Sequence, residues 1–180
     1  MNMEKHSNES IFIRKLRLSD SKSIHEHVND KQIAKWTLRI PFPYKEKYAR
    51  NFIKECNQSS KARTGFTFGI ILKETNSLIG VVGFHAVCLE DKNAEVGYWV
   101  SRQYWKKGVA TEAVKLALKF GFKKLRLKRI YAKVFKGNSA SVKVLQKNGF
   151  KTEGLLRKSR YKNKKWLDEI VLSKLNEDSE

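Results

Sequence analysis

The chain has 180 residues, 38 of them Lys or Arg against 18 Asp or Glu, a formal net charge of +20, and 41% of its residues are hydrophobic. A chain of this length can bury roughly 70% of the surface its unfolded form exposes, which suits one core, and the steady recurrence of Ile, Leu, Val and Phe excludes a disordered basic tail. No apolar run approaches the roughly 18 residues of a membrane span, and Met1 to Ser10 lacks the apolar stretch of a secretory signal, so a cytoplasmic protein without membrane partners is expected.

In chain order, Ile11 to Leu18 alternates, with Phe12, Leu16 and Leu18 on one side, and predicts a first strand. Asp20 then stands where it can cap a helix through Ile24, Val28 and Ile33, and Lys47 to Cys56 predicts a second helix, with Tyr48 and Phe52 on one face. Between them Trp36 to Tyr44 is an aromatic loop broken by Pro41 and Pro43. Phe66 to Leu72 and Leu78 to His85 predict a hairpin about Lys73 to Ser77, and Ala94 to Val100, after the turn Glu90 to Asn93, completes an antiparallel meander. The period then changes: Val109, Ala113, Leu116, Ala117 and Phe120 recur at three and four residues, as in a helix packed on a sheet.

Arg129 to Phe135 alternates and predicts the next strand. Asn138 stands at the N-cap of a short helix carrying Val142 and Leu145, and Gly149 occupies the stop position before a strand at Phe150. A run from Asp168 to Leu175 closes the sheet. One domain is expected over residues 11–175, between a flexible N-terminus (1–10) and an acidic tail (176–180); Arg157 to Lys165 is the one strongly biased stretch. Charge follows position: residues 101–174 hold 22 basic and 4 acidic side chains, so the C-terminal half faces something anionic, whether nucleic acid, ribosome, anionic membrane or a phosphorylated ligand. Cys56 and Cys88 stand in unrelated contexts, make neither a disulfide framework nor a zinc site, and read as reduced packing residues.

The stretch from Glu95 to Glu112, EVGYWVSRQYWKKGVATE, carries the chemistry. A strand ends at Val100, a turn with Lys106, Lys107 and Gly108 follows, and a helix begins near Val109. The free N–H groups and positive dipole end of a helix start attract phosphate, and Gly108 removes the Cβ that would hold an anion away. Residues 105–111 therefore read as a pyrophosphate cradle. The triple-glycine dinucleotide fingerprint and the Gly-opened loop ending in Lys-Ser/Thr are both missing, which disfavours hydride and phosphoryl transfer alike.

With these residues in view, Trp105-x-x-Gly108-x-Ala110 resembles the acetyl-CoA pyrophosphate loop of the GNAT superfamily of N-acetyltransferases. GlyTyrTrpVal at 97–100, TyrTrpLysLysGlyValAlaThrGluAla at 104–113, Asn138-x-x-Ser141, Asn148GlyPhe150 and Glu153GlyLeuLeuArg157 are similar to its ribosomal-protein amino-terminal acetyltransferase branch. Trp105 stands where Arg or Gln is common. The resemblance implies a mixed α/β (α+β) GNAT-like fold: a mostly antiparallel twisted sheet of about seven strands, splayed between the fourth and fifth and flanked by about four helices. It implies acetyl-CoA as co-substrate and no metal. Trp99 and Val100 would pair with the pantetheine arm, the Val100 N–H polarising the thioester carbonyl; Trp105, Lys106, Lys107, Gly108, Val109, Ala110 and Thr111 would hold the pyrophosphate, and Asn138 would contact the cofactor arm.

Two catalytic roles follow from the resemblance. Ser141 would protonate the departing thiolate, or else be a surface hydroxyl; Glu95 would take the amine proton or hold its ammonium, or else be a structural carboxylate. His25 and His27, two apart, point to different faces of a helix and do not make a metal pair. His85 in its strand could reach the acceptor cleft, although packing is the plainer role. Trp36, Phe42 and Tyr44 either wall the acceptor site or cover the edge of the core. The expected acceptor is the α-amino group of a protein, a ribosomal one foremost, with an antibiotic or polyamine as alternative. The basic half argues against a polycation, whereas Glu90, Asp91 and Glu95 argue for one. A basic module that binds RNA or ribosome without catalysis is the reading from another class. The charge surplus points to a ribosome or acidic-protein contact, and exposed sheet edges leave room for a homodimer.

Overall fold

The computed structural model describes residues 10–176, so the expected N-terminal segment and acidic tail fall almost wholly outside the described residues. Seven strands form one sheet in the order β1-β2-β3-β4-β5-β7-β6. They are β1 (Ile11–Lys15), β2 (Phe66–Leu72), β3 (Leu78–Cys88), β4 (Asn93–Val100), β5 (Arg129–Phe135), β6 (Lys151–Lys162) and β7 (Lys165–Leu175). All neighbours are antiparallel except β4 and β5. Five α-helices are found among the described residues: α1 (Ser21–Val28), α2 (Lys31–Trp36), α3 (Glu46–Lys61), α4 (Val109–Lys123) and α5 (Ser139–Lys147). The fold is the mixed α/β architecture expected, a mostly antiparallel seven-stranded sheet with its one parallel pair between the fourth and fifth strands. No helix among the described residues is long and apolar enough to cross a membrane.

The pleat divides the core in two. Val82, Phe84, Val96, Ile130, Ala132 and Val134 face α4 and α5, where Ala113, Val114, Ala117 and Leu145 are fully buried against them. Val81 and Trp99, on the opposite face, meet Ile24, Val28, Ile33 and Ile53 from α1–α3. Each fully buried Ile, Leu, Val or Phe contributes roughly 1.5–3 kcal/mol of transfer free energy. The helices α1–α3 cover only the β1–β4 part of their face, so the same face of β5, β7 and β6 is open to hold polar side chains.

Three local expectations are corrected. The first strand stops at Lys15, and Leu18 is 51% exposed, because Asp20 turns the chain. Its carboxylate accepts 2.8 Å hydrogen bonds from both Arg14 guanidinium nitrogens and a 2.7 Å bond from the Arg17 N–H, so it ties β1 to the turn and does not cap α1. The helix expected through Ile33 breaks in two, which raises the count from four to five. Asn29 Oδ1 accepts from Tyr44 N–H, and Asp30 Oδ1 accepts from Gln32 N–H as the N-cap of α2. Finally, the basic stretch after Phe150 is a long hairpin, β6–β7, closed by Asn163 and Lys164 at φ 50° and 61°, the pair of positive values that suits a two-residue hairpin turn. Its edge strand β6 is exposed over Lys151–Lys158, and charge there is the usual guard against edge-to-edge pairing.

Candidate active site

The parallel pair β4/β5 is in register only at Asn93–Arg129, Ala94–Ile130 and Glu95–Tyr131. Beyond Glu95 and Tyr131 the strands part, while β3 keeps β4 paired to Val100 and β7 keeps β5 paired to Phe135. The direction of the groups along this fork follows from one bond. Ser101 N–H donates to Ile79 C=O at 2.8 Å, and an antiparallel ladder alternates, so Trp99 and Gly97 turn their backbone groups to β3, whereas Val100, Tyr98 and Val96 turn theirs toward the fork. Of the two expected backbone contacts, Val100 faces the fork and Trp99 does not; its indole instead packs among α1–α3.

At the open end of β4 the chain turns back on itself. Trp105 Nε1–H donates to Val100 C=O at 2.7 Å, which pins the turn to the strand end. Lys106 and Gly108 follow with φ of 61° and 80°, and Gly108 is the N-cap of α4 in the left-handed conformation that favours glycine. No side chain caps this helix start; the first N–H to bond back is that of Glu112, to Gly108 C=O at 3.0 Å. The N–H groups of Val109, Ala110 and Thr111 thus line a helix terminus with Lys106 and Lys107 exposed beside it, a donor set that fits a pyrophosphate.

On the helix side of the sheet, Asn138 Oδ1 accepts the Ser141 N–H at 3.2 Å and so caps α5. Ser141 Oγ lies 2.8 Å from the hydroxyl of Tyr98, which also donates to the Ser141 carbonyl at 3.3 Å. Burial pushes the Tyr98 phenol up to about 12, so it stays protonated at neutral pH. Sequence reasoning named Ser141 and missed Tyr98, although strand alternation from Val96 places Tyr98 on the face that α5 covers.

On the opposite face Glu95 is 14% exposed, with His85 Nε2 at 3.4 Å from Oε1 and Lys133 Nζ at 3.6 Å from Oε2. Burial alone would raise its pKa, but His85 and Lys133 outweigh that and hold Glu95 below the ordinary value. The polar face continues outward: the Tyr131 ring lies between Lys133 and Arg129, and Arg129 makes a two-pronged pair with Glu153, which also accepts from Ser173 Oγ at 2.6 Å. At the rim, Lys162 of the hairpin donates to the carbonyls of Ala34 and Thr37 and so ties β6 to the end of α2. Trp36 lies there, while Tyr44 is buried in the core at 7% exposure and Phe42 is exposed. Tyr44 therefore covers the core, as one of its two readings had it. Cys56 packs beside that core, where burial raises its thiol pKa, and Cys88 Sγ contacts Asp91; both are free.

A forked sheet with an uncapped helix start beyond the end of one strand and polar groups on either side is an arrangement that suits an acyl-CoA-dependent transferase. The acetyltransferase (GNAT) domain family matches residues 10–151, and the chain belongs to that family. It is 35% identical over 176 residues to the uncharacterized N-acetyltransferase p20 of Bacillus licheniformis, covering 98% of each chain. It is 26% identical over 147 residues to spermidine N(1)-acetyltransferase of Escherichia coli, covering 82% of this chain and 76% of that one. The ribosomal-protein-S5-alanine acetyltransferase of Vibrio fischeri, a solved structure, superposes with a TM-score of 0.85 at 28% identity, over 94% of this chain and 95% of that one. The protein is an N-acetyltransferase, and acetyl-CoA is its co-substrate.

Proposed function

We propose that the protein acetylates the α-amino group of a polypeptide, a ribosomal protein foremost, in the cytoplasm. The observation that carries this reading is the state of Glu95. A polyamine needs several uncommitted carboxylates, and Glu95, at the last paired position before the fork, is already held between His85 and Lys133. Asp91 lies in an exposed turn with its carboxylate against Cys88. A single neutral amine on a peptide suits this surface better than a chain of ammonium groups. The solved S5-alanine enzyme, similar over nearly the whole chain, adds support.

Acetyl-CoA supplies an activated acetyl thioester that a neutral amine can attack directly. The residues divide the remaining work. Val109, Ala110 and Thr111 N–H groups with Lys106 and Lys107 hold the pyrophosphate; Trp105 fixes the turn; the Val100 N–H polarises the thioester carbonyl. Asn138 orients α5, and Ser141, its Oγ in hydrogen-bond contact with the Tyr98 hydroxyl, returns a proton to the sulfur. Thiols leave well near neutral pH, so this acid contributes modestly. Glu95, held between His85 and Lys133, borders the acceptor side as a paired carboxylate.

The test follows CoA release with a thiol reagent across N-terminal peptides, purified ribosomal proteins and spermidine. Turnover is expected with peptides or proteins, and a preference for spermidine would overturn the acceptor. Tight acetyl-CoA binding with no turnover on any amine would overturn the enzymatic reading.

A further inference from the structure

Glu95 and the neighbouring imidazole are arranged as a pair, and the arrangement says which of them moves the proton. His85 is opposite Glu95 in the β3/β4 register and its side chain is 56% exposed, against 14% for Glu95. Its Nε2 is the atom turned to the carboxylate, at 3.4 Å. The other edge of the ring lies over Gly97: a Cβ built there would sit 3.2 Å from His85 Cε1 and 3.6 Å from Nδ1. Gly97 is the second residue past the point where β4 and β5 part. A side chain at 97 would crowd the Cε1–Nδ1 edge of the ring; glycine leaves that edge uncovered by residue 97, on a side chain that is 56% exposed.

We infer that His85, through Nδ1, takes the proton from the acceptor amine, and that Glu95 is the positioning residue that keeps the ring's other proton on Nε2. The inference rests on the acetyl-transfer reading above and names the base of that site. A carboxylate beside Nε2 favours the Nε2–H tautomer and stabilises the imidazolium once formed. As the amine nitrogen bonds to the acyl carbon and the carbon–sulfur bond breaks, the surplus proton on nitrogen passes to Nδ1, and the sulfur takes one from Ser141. His85 then releases its proton to water along its exposed side, and Ser141 regains one from solvent, so the proton count closes with Tyr98 protonated throughout. Glu95 itself is a poor base: its pKa is held down, whereas an efficient base is matched to the working pH. The charged groups recorded around the ring are Glu95 on β4 and, behind it, Lys133 on β5, with Tyr131 beside Lys133; on the β2 side Gly65 lies alongside, a Cβ there coming 4.0 Å from His85 Cα.

The test pairs kinetics with a spectrum of the free protein. With saturating acceptor, wild-type kcat should rise through one ionisation between about pH 5 and 9, and His85→Gln should lose about 10²-fold in kcat and lose that limb, with acetyl-CoA affinity unchanged. Added imidazole should restore part of the activity of His85→Ala. Glu95→Gln should keep the limb while lowering kcat, since it removes the group that positions the ring and not the base itself. Histidine 1H–15N spectra of the acetyl-CoA-free protein should show His85 protonated at Nε2, with that tautomer preference weakened in Glu95→Gln. A His85→Gln enzyme within threefold of wild type that keeps its limb would overturn the proposal, as would loss of the limb in Glu95→Gln alone, or an Nδ1–H tautomer. Failure of every acceptor in wild-type assays would instead strike the acetyl-transfer reading, and the spectra would still decide the pair.

Discussion

Replacing Gly108 separates the backbone geometry of the phosphate turn from its charge. Gly108 has φ 80° at the start of α4, a conformation that costs an L-residue about 1–2 kcal/mol. Gly108→Ala should therefore lower Tm by roughly 2–8 °C, taking about 2–4 °C per kcal/mol for a chain of this size. Gly108→Glu pays the same backbone cost and adds a negative charge where two phosphates are to lie. At about 5 Å and an effective dielectric constant of about 40, Coulomb's law gives roughly 1.7 kcal/mol per phosphate charge, so two cost about 3 kcal/mol and weaken binding more than ~10²-fold. A carboxylate at a helix N-terminus also stabilises that helix by about 0.3–1 kcal/mol, so Gly108→Glu should be no less stable than Gly108→Ala while binding far more weakly. Thermal shift without ligand and calorimetric titration with acetyl-CoA read the two effects apart. If Gly108→Glu bound acetyl-CoA within threefold of Gly108→Ala, the helix start at Val109 would not be the phosphate site.

Three further outcomes follow from the geometry. Tyr98→Phe removes the 2.8 Å contact with Ser141 Oγ, so stability should fall by about 1 kcal/mol, and kcat should drop by well under the ~10²-fold expected of an indispensable acid, as measured by denaturant unfolding and CoA release. Glu153, held by Arg129 and Ser173, has its pKa lowered to about 2. A carboxylate depressed in the folded state adds stability above its unfolded pKa of about 4.3 and loses it as pH falls toward the folded value; urea unfolding should show the wild-type decline across that window flattened in Glu153→Gln, and an unchanged acid limb would refute the pairing. Raising salt should raise the acceptor KM if the C-terminal half contacts an anionic partner; acceptor KM insensitive to salt, alongside weakened acetyl-CoA binding, would reduce the surplus charge to a solubility feature.

How far the sequence could be read depended on whether burial imposed a period. The strands Phe66–Leu72 and Arg129–Phe135 are found with the expected bounds, and α4 begins at Val109 as expected, because each packs one face against the other side of the core. Of the β6–β7 hairpin, a strand near Phe150 and the run Asp168–Leu175 were expected, but the stretch joining them was unreadable for the converse reason. Its edge strand is exposed almost throughout, so solvent places no constraint on alternate residues and the stretch Arg157–Lys165 looks like charge alone. The same logic governs the site. Gly108, Asn138 and Ser141 act through local backbone, a turn and a helix cap, and their spacing carries that. The partners of Glu95 come from a register ten residues back on β3 and from β5, and Tyr98 meets Ser141 across 43 residues, so only the assembled sheet brings them together.

The fork also gives the uneven charge a direction. Its first arm, β1–β4 with α1–α3, is built from residues 10–100, which hold 15 basic and 9 acidic side chains; its second arm, β5–β7 with α4 and α5, comes from the half with 22 and 4. The mouth of the fork therefore lies on the seam between a mildly cationic arm and a strongly cationic one. Within the second arm the cations near the seam are partly committed: Lys133 to Glu95, Arg129 to Glu153, Arg160 to Glu169, and Lys162 to the carbonyls at the end of α2. Those contacts shape the cleft, and they leave little local field there to attract or repel a small amine. Lys158, Lys164 and Lys165 lie farther out on the hairpin with no ion pair among the described residues. A small acceptor that stops at Glu95 would not meet them, whereas a polypeptide extending outward over β7 and β6 would. Charge beyond the cleft thus acts only on an acceptor large enough to reach it, which is why the salt dependence of acceptor KM reports on acceptor size as well as on its sign.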